Sequence, residues 1–289
     1  MLLKNKKTAI IGGGPGGLTL ANLLQQKGAD VRVYERDENK HARVQGATLD
    51  LHEESGLEAL KRAGLLEAFY ENYRPGAGKM RLITKNLEIK FDDHQEGNQR
   101  EDLRPEIDRG PLRKILLNRL PEETVVWDSH FLSLEPENEG WRIRFKNGTS
   151  AYADLVIAAD GANSKIRSTI TDINPIYSGI TIVEGNIYNA AVNAPKLYEI
   201  LKGGKVFAFG DDQSIILSAK GDGSMSFYTG CKVPELIFQT KLQFISGFSR
   251  NLLPGIRSGR NCSKAMNCGL FRGLSIIFHP INPGTLIPT

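Results

Sequence analysis

The chain has 289 residues, 40% of them hydrophobic and 24% charged, enough for one large domain or two ordinary ones with packed cores, and unlike the composition of a disordered protein. No stretch reaches the roughly 18 consecutive apolar residues of a membrane-spanning helix, and Met1 to Lys7 leads into a strand pattern without a signal-peptide core. A cytoplasmic protein acting away from membranes is therefore expected.

Three cysteines, Cys231, Cys262 and Cys268, show no Cys-x-x-Cys spacing and no nearby His pair, so they read as free thiols and not as a metal site. The net charge of +4 is unevenly spread, since all 33 acids lie at or before Glu235. The Lys and Arg residues beyond it are scattered, which argues against a nucleic-acid surface.

Thr8 to Ile11 reads as a short buried strand that enters a glycine turn at Gly12, and Leu18 to Leu24 follows at helical spacing until Gly28. Val31 to Glu35 is a second strand, which completes a βαβ unit with a right-handed crossover expected. The pattern then predicts a helix over Gly56 to Tyr70, a polar strand-like stretch from Lys79 to Asp92, and a charged loop through Arg104. Pro111 to Leu120 reads as a helix with Pro111 in its first turn.

Val125–Asp128, Phe131–Leu134 and Trp141–Phe145 alternate like antiparallel strands, with a turn at Asn147-Gly148. Leu155 to Ala159 is a continuous apolar run suited to a buried parallel strand, and it ends at Asp160-Gly161. From Gly179 to Lys232 the pattern is strand-rich with glycine turns, as in a second sheet.

Gly12-x-Gly14-x-x-Gly17 between a strand and a helix, with Glu35 at the end of the next strand, is a dinucleotide-binding fingerprint. Gly12 serves the tight turn, Gly14 the approach of a pyrophosphate, and Gly17 close helix-to-strand packing. The helix N-terminus offers free N–H groups to phosphate. Glu35 suits ribose hydroxyls and disfavours a 2′-phosphate, which leaves FAD and NAD both open on residue chemistry alone.

Gly12 to Leu18 with Pro15, followed by Tyr34-Glu35-Arg36, resembles the class A FAD-dependent aromatic-hydroxylase-type monooxygenases, and Ala42 to His52 is similar to the tetracycline-inactivating branch. The resemblance covers about residues 7–234. It implies FAD as the bound cofactor and NADPH or NADH as reductant. It also implies contacts to FAD or the nicotinamide cofactor from Arg36, Arg43 and Asp50, from Arg109 and Arg113 at a helix start, and from Asp160 and Gly161 in a second nucleotide motif. Polar substrate contacts would fall at Glu184, Lys205 and Ser226.

The fold so implied is α/β, with a Rossmann-like, GR2-type FAD-binding domain around a parallel sheet and an inserted antiparallel-sheet substrate domain. Residues 1–78 and 100–172 would form the first, residues 79–99 and 173–234 the second. The implied activity inserts one oxygen atom from O2 into an aromatic or polyketide-like substrate, tetracycline among the candidates, with a role in antibiotic resistance. The protein is expected to act as a monomer. No metal or catalytic acid–base residue is assigned, and His41, His52, His94, His130 and His279 read as ordinary polar residues.

The family's third motif, Gly-Asp after a buried strand, is not found in this sequence; Gly210-Asp211 and Gly221-Asp222 lack its context. Phe278 to Thr285, re-read out of phase under one choice of codons, resembles the family segment that precedes this motif. Residues 235–289 are accordingly expected to be an aberrant, frame-shifted tail, a hypothesis that sequencing the coding DNA tests. Restoring the frame must yield the Gly-Asp motif within about one βα unit. An inactive nucleotide-binding remnant and an NAD-dependent Rossmann oxidoreductase are the alternative readings.

Overall fold

A computed structural model of the chain describes residues 3–42, 47–84, 88–94, 104–210, 213–232 and 277–278. In chain order the first elements are β1 (Lys7–Ile11), α1 (Pro15–Gln26), β2 (Asp30–Tyr34), β3 (Leu49–Asp50), α2 (Glu58–Arg62), α3 (Leu66–Tyr70), β4 (Met80–Thr84), β5 (Ile89–Asp92), β6 (Glu106–Ile107) and α4 (Arg109–Asn118). There follow β7 (Val125–Val126), β8 (Phe131–Glu137), β9 (Gly140–Phe145), β10 (Ser150–Ala153), β11 (Leu155–Ala158), α5 (Arg167–Ile170) and β12 (Ile180–Ile187). The last are α6 (Ala190–Asn193), α7 (Pro195–Leu201), β13 (Lys205–Gly210), β14 (Gln213–Ala219), β15 (Met225–Lys232) and β16 (Ile277–Phe278). The α/β expectation holds, with parallel and antiparallel sheets in one chain.

The chain divides into two units, one of residues 1–46, 51–73 and 107–175, the other of 47–50, 74–106 and 176–289. In the first, a parallel sheet of order β11-β1-β2-β7 carries α1 on β2, and Ile10 pairs with both Val33 and Ile157. The Asn22 side chain donates to Leu18 O at 2.9 Å and to Leu116 O at 3.0 Å, which ties α1 to α4 and satisfies a buried amide. An antiparallel meander of order β10-β9-β8 shares a core with the parallel sheet, where Tyr34 stacks on Phe145 at 4.9 Å beside Ile11, Phe131 and Ile143.

The second unit is built on a seven-stranded sheet of order β16-β12-β15-β14-β13-β4-β5. Only the β13–β4 pair is parallel; the other described pairs are antiparallel. One sheet face is buried with α6 and α7 in a core of Ile187, Leu197, Leu201, Leu217, Met225 and Phe227. Gly185 is required at the centre of β12, because a Cβ there would lie 2.2 Å from the Phe227 ring.

Four sequence expectations are corrected. The helix predicted over Gly56 to Tyr70 is a π-turn at Glu53–Leu57 followed by α2 and α3, and it breaks where Gly64 adopts φ +68°, outside the helical region. Val125 begins no antiparallel strand. It pairs in parallel with Val33, and the chain turns out at Asp128 with φ +52°. The apolar run Leu155 to Ala158 pairs in parallel with β1 as expected, but among the described residues it is an edge strand whose Leu155 is exposed, since parallel strands need not be central to be apolar. The segment between β12 and β13, read as part of a strand-rich region, holds α6 and α7, with Pro195 at an N-terminal position of α7. Helix α4 starts at Arg109, two residues before expectation, with Pro111 still in its first turn. The expected tail lies outside the described residues except for β16.

Candidate functional site

In the first unit the chain leaves β1 into a turn that only glycine permits. Gly12 has φ +111°, and a Cβ there would sit 2.2 Å from Ala159 O, the carbonyl that follows β11. Gly17 is held just as closely, since its Cβ would meet Gly12 O at 2.1 Å. These two glycines seat α1 against the ends of β1 and β11.

Gly14 and Gly16 are different: a Cβ on either would meet nothing within 4 Å. Gly14 is the N-cap of α1, Pro15 occupies the first turn, and no side chain caps the helix. Backbone N–H groups and the positive end of the α1 dipole therefore face open space, the arrangement in which a helix terminus receives an anion. The room next to Gly14 and Gly16 is the cradle that a pyrophosphate would fill, so this turn fits a dinucleotide.

Glu35 stands immediately after β2 and is buried. Its Oε2 accepts from Gly13 N–H at 2.6 Å and its Oε1 from Asp37 N–H at 3.0 Å, so the glycine turn and the β2 end fix the carboxylate. Each carboxylate oxygen keeps acceptor capacity beyond one bond. Asp37 in turn accepts from Arg113 Nη2 at 3.1 Å, and the Arg113 guanidinium lies 5.4 Å from the Trp127 ring centroid. Arg113 is buried, and its Nε and Nη1 have no hydrogen-bond partner among the described residues, donors suited to an anionic group.

Asp160 follows Ala159 at the other side of the turn. Its Oδ2 accepts from Lys165 N–H at 2.8 Å, and its Oδ1 is buried without a hydrogen-bond partner among the described residues. Gly161 has φ +86°, and Arg167 closes the turn by donating from Nη2 to Ala162 O at 2.8 Å. Nearby, burial and the positive charges of Lys146, Lys165 and Arg36 hold the His130 imidazole below its ordinary pKa.

The expected cofactor residues thus fall into groups. Gly12, Gly14, Pro15, Gly17 and Glu35 come together in one turn, linked to Arg113 through Asp37 and bordered by Asp160 and Gly161. The side chain of Arg36 is exposed, and Arg109 is the first residue of α4. Asp50 belongs to the second unit, where Arg104 lies 3.6 Å from its carboxylate. Arg43 lies outside the described residues. Asp37 and Trp127, the partners of Arg113, were not anticipated, because no spacing rule connects positions 37, 113 and 127.

In the second unit the three expected substrate contacts share one sheet face. Ser226 pairs across strands with Asn186 and Ser218, Ser218 with Lys205, and Tyr228 with Glu184. Glu184 accepts from the Tyr228 hydroxyl at 3.1 Å. The Lys205 ammonium donates to the buried Glu106, and the Ser226 hydroxyl is buried with no hydrogen-bond partner among the described residues. No group of three or more metal-ligating side chains occurs among the described residues. No described helix is long and apolar enough to cross a membrane.

Comparison with known proteins gives a consistent result. Residues 5–234 match a family described as FAD binding domain. Monooxygenase asqM of Emericella nidulans is 31% identical over 237 residues, a match that covers 76% of this chain and 52% of that protein. The 3-amino-4-hydroxybenzoate 2-monooxygenase of Streptomyces cremeus is 30% identical over 190 residues, covering 64% of this chain and 47% of that protein. This chain therefore spans about half the length of the curated relatives it matches. Among solved structures, tetracycline destructase Tet(55) superposes with a TM-score of 0.67 at 18% identity, over 94% of this chain and 68% of that one. Klebsiella pneumoniae HpxO complexed with FAD and uric acid gives 0.61 at 23% identity, over 84% and 61%. These two likenesses are of fold.

Proposed function

Because the chain belongs to the family of that FAD binding domain, we propose that it holds FAD on its first unit and acts as an FAD-dependent monooxygenase, with NADPH or NADH as reductant. The observation that carries this reading is the glycine turn. Gly12 and Gly17 lock α1 in place while Gly14 and Gly16 leave its N-terminus open. The flavin, once bound, supplies electron transfer and the activation of O2, from which one oxygen atom passes to an organic substrate.

The residues of the chain have binding and positioning tasks. The first-turn N–H groups of α1 would hold the pyrophosphate, and Gly14 and Pro15 would keep that approach clear. Glu35, already oriented by Gly13, would accept from the adenosine ribose and repel a 2′-phosphate. Arg113 would donate from Nε and Nη1, steadied by Asp37 and Trp127. Asp160 and Gly161 would support the pyrophosphate from the β11 side, with Arg36, Arg43, Asp50 and Arg109 as further cofactor contacts.

The substrate would be a small aromatic or polyketide-like molecule lying on the second unit, with Glu184, Lys205 and Ser226 on the face that meets it. Tetracycline is one candidate, supported by the fold likeness to the tetracycline destructases and by the resemblance of Ala42 to His52. The proposed setting is a cytoplasmic monomer.

The test is a visible spectrum of the purified chain with added FAD, followed through gel filtration. Co-elution of a shifted flavin band at about one FAD per chain is the expected result, and substrate-stimulated NADPH oxidation then separates a working monooxygenase from a flavin binder. A folded chain that binds NAD and not FAD, or neither, overturns the reading.

A further inference from the structure

The two faces of the seven-stranded sheet of the second unit differ: α6 and α7 pack against one, and the middle row of the other is half-buried. Along β15, Met225, Phe227 and Thr229 are buried on the side of the α6 and α7 core, and the alternate residues Ser226, Tyr228 and Gly230 point to the other face. The strand registers extend the middle row of that second face from Glu184 through Tyr228, Ile216, Phe207 and Leu82 to Phe91. All six are half-buried. The row is an apolar, largely aromatic floor with one carboxylate at its β12 end.

The charges on this face are unequal. Lys205 is compensated, since its ammonium donates to Glu106, a carboxylate only 3% exposed. Glu184 forms no ion pair among the described residues, and its one hydrogen bond is from Tyr228. The Tyr228 hydroxyl spends its single proton on Glu184 and accepts from Ala47 N–H at 3.2 Å, which fixes the direction in which Glu184 is held. A half-buried carboxylate with spare lone pairs and no cation is stabilised by any ligand that brings an O–H or N–H donor to it. It repels an anion at the same place.

We infer that Glu184, positioned by Tyr228, is a specificity-determining acceptor that selects a neutral planar aromatic bearing a phenolic O–H or ring N–H, and rejects an aromatic carboxylate. This rests on the reading of the sheet face as the substrate floor of a monooxygenase. It narrows that reading, because the benzoate named for the Streptomyces relative carries the group that Glu184 disfavours. Tyr228 acts through Glu184 and is a positioning residue.

The test is calorimetric titration of the full chain, with FAD present in excess, by three molecules of one shape: 2-naphthol, 2-methoxynaphthalene and 2-naphthoate. The expected order places 2-naphthol about tenfold or more ahead of its methyl ether, the loss of one hydrogen bond to a charged group, with 2-naphthoate weakest. E184Q keeps an acceptor without the charge, so it should retain 2-naphthol within a few-fold and improve 2-naphthoate. E184L should bind 2-naphthol and 2-methoxynaphthalene equally, and unchanged affinity for the ether reports that the face is intact. Y228F should fall between wild type and E184L in its preference for the phenol.

The assignment is overturned if 2-naphthoate binds the wild type as tightly as 2-naphthol, if E184L preserves the preference for the phenol over the ether, or if none of the three binds. The flavin band, recorded on the same samples, reports separately on the cofactor. Ligand discrimination without retained FAD leaves the acceptor role standing and removes the monooxygenase reading, and retained FAD without discrimination does the reverse.

Discussion

At the scale of single residues, Gly12, Gly14, Gly16 and Gly17 of the turn divide by what surrounds them. Gly12 needs both a positive φ of 111° and the absence of a Cβ against Ala159 O, so Gly12→Ala strains the backbone and displaces a packed carbonyl. A loss of at least about 1–3 kcal/mol is expected from the backbone term alone, read as a lower urea midpoint with or without FAD. Gly14→Ala meets no neighbour, and φ −74° suits alanine, so its urea midpoint should stay near wild type. FAD affinity should nevertheless fall about tenfold or more as the new methyl enters the cradle. A Gly14→Ala chain that binds FAD as wild type does would remove the cradle from the proposed site. The fingerprint glycines were legible in sequence; which of them serve packing and which leave room depended on the positions of Ala159 and Gly12 in space.

At the scale of elements, the β4–β5 hairpin is held to the end of α7 by a buried ionic network. Arg81 donates from Nε to Asp92 Oδ2 at 2.9 Å and from Nη1 to Ile200 O at 2.7 Å, and His94 N–H donates to Asp92 Oδ1 at 3.0 Å. Burial opposes ionisation of Asp92, but the hydrogen bonds from Arg81 and His94 outweigh it and hold the carboxyl far below the usual range. A depressed native pKa stabilises the fold above the unfolded value of about 3.9, and that stability is lost as pH falls towards the native value. Urea midpoints should therefore be insensitive to this group between about pH 5 and 7 and decline below about pH 4. Asp92→Asn should lower the midpoint at pH 7 and flatten the acid decline; an unaltered acid slope in Asp92→Asn would rule out this network as its source. Sequence periodicity located the strand-like stretch and not this clamp, which joins Arg81 to a carbonyl 119 residues away.

The same scale explains where pattern reading failed. Apolar runs such as Leu155 to Ala158 carry no mark of whether a strand is central or at an edge, because edge position depends on which strands pair. Gly64 stands inside an apolar helical period, and only its φ of +68° shows that the chain turns between α2 and α3. Helices α6 and α7 leave no periodic signal in the sequence because each is short and lies within a region dominated by strands.

For the whole molecule, cofactor binding and stability are linked. A ligand that binds only the folded state stabilises it by about 2.7 kcal/mol at a hundred times its dissociation constant. FAD at such concentrations should raise the thermal midpoint by several degrees, and Gly14→Ala should reduce that rise in proportion to its lost affinity. A midpoint unmoved by saturating FAD would mean that the native fold does not hold the cofactor.

The sequence by itself determined the βαβ start, the glycine turn, Glu35 at the end of β2, the mixed α/β class and the family, because these depend on residues close in the chain whose periodicity and backbone tolerance are local properties. Only the tertiary structure decided that Arg113 meets Asp37 and Trp127, that β7 joins the parallel sheet, and that Glu184 lies beside Tyr228 on one face of a seven-stranded sheet. Those relations are fixed by strand register and burial over tens to hundreds of residues, and no local pattern encodes which distant side chains will share a surface.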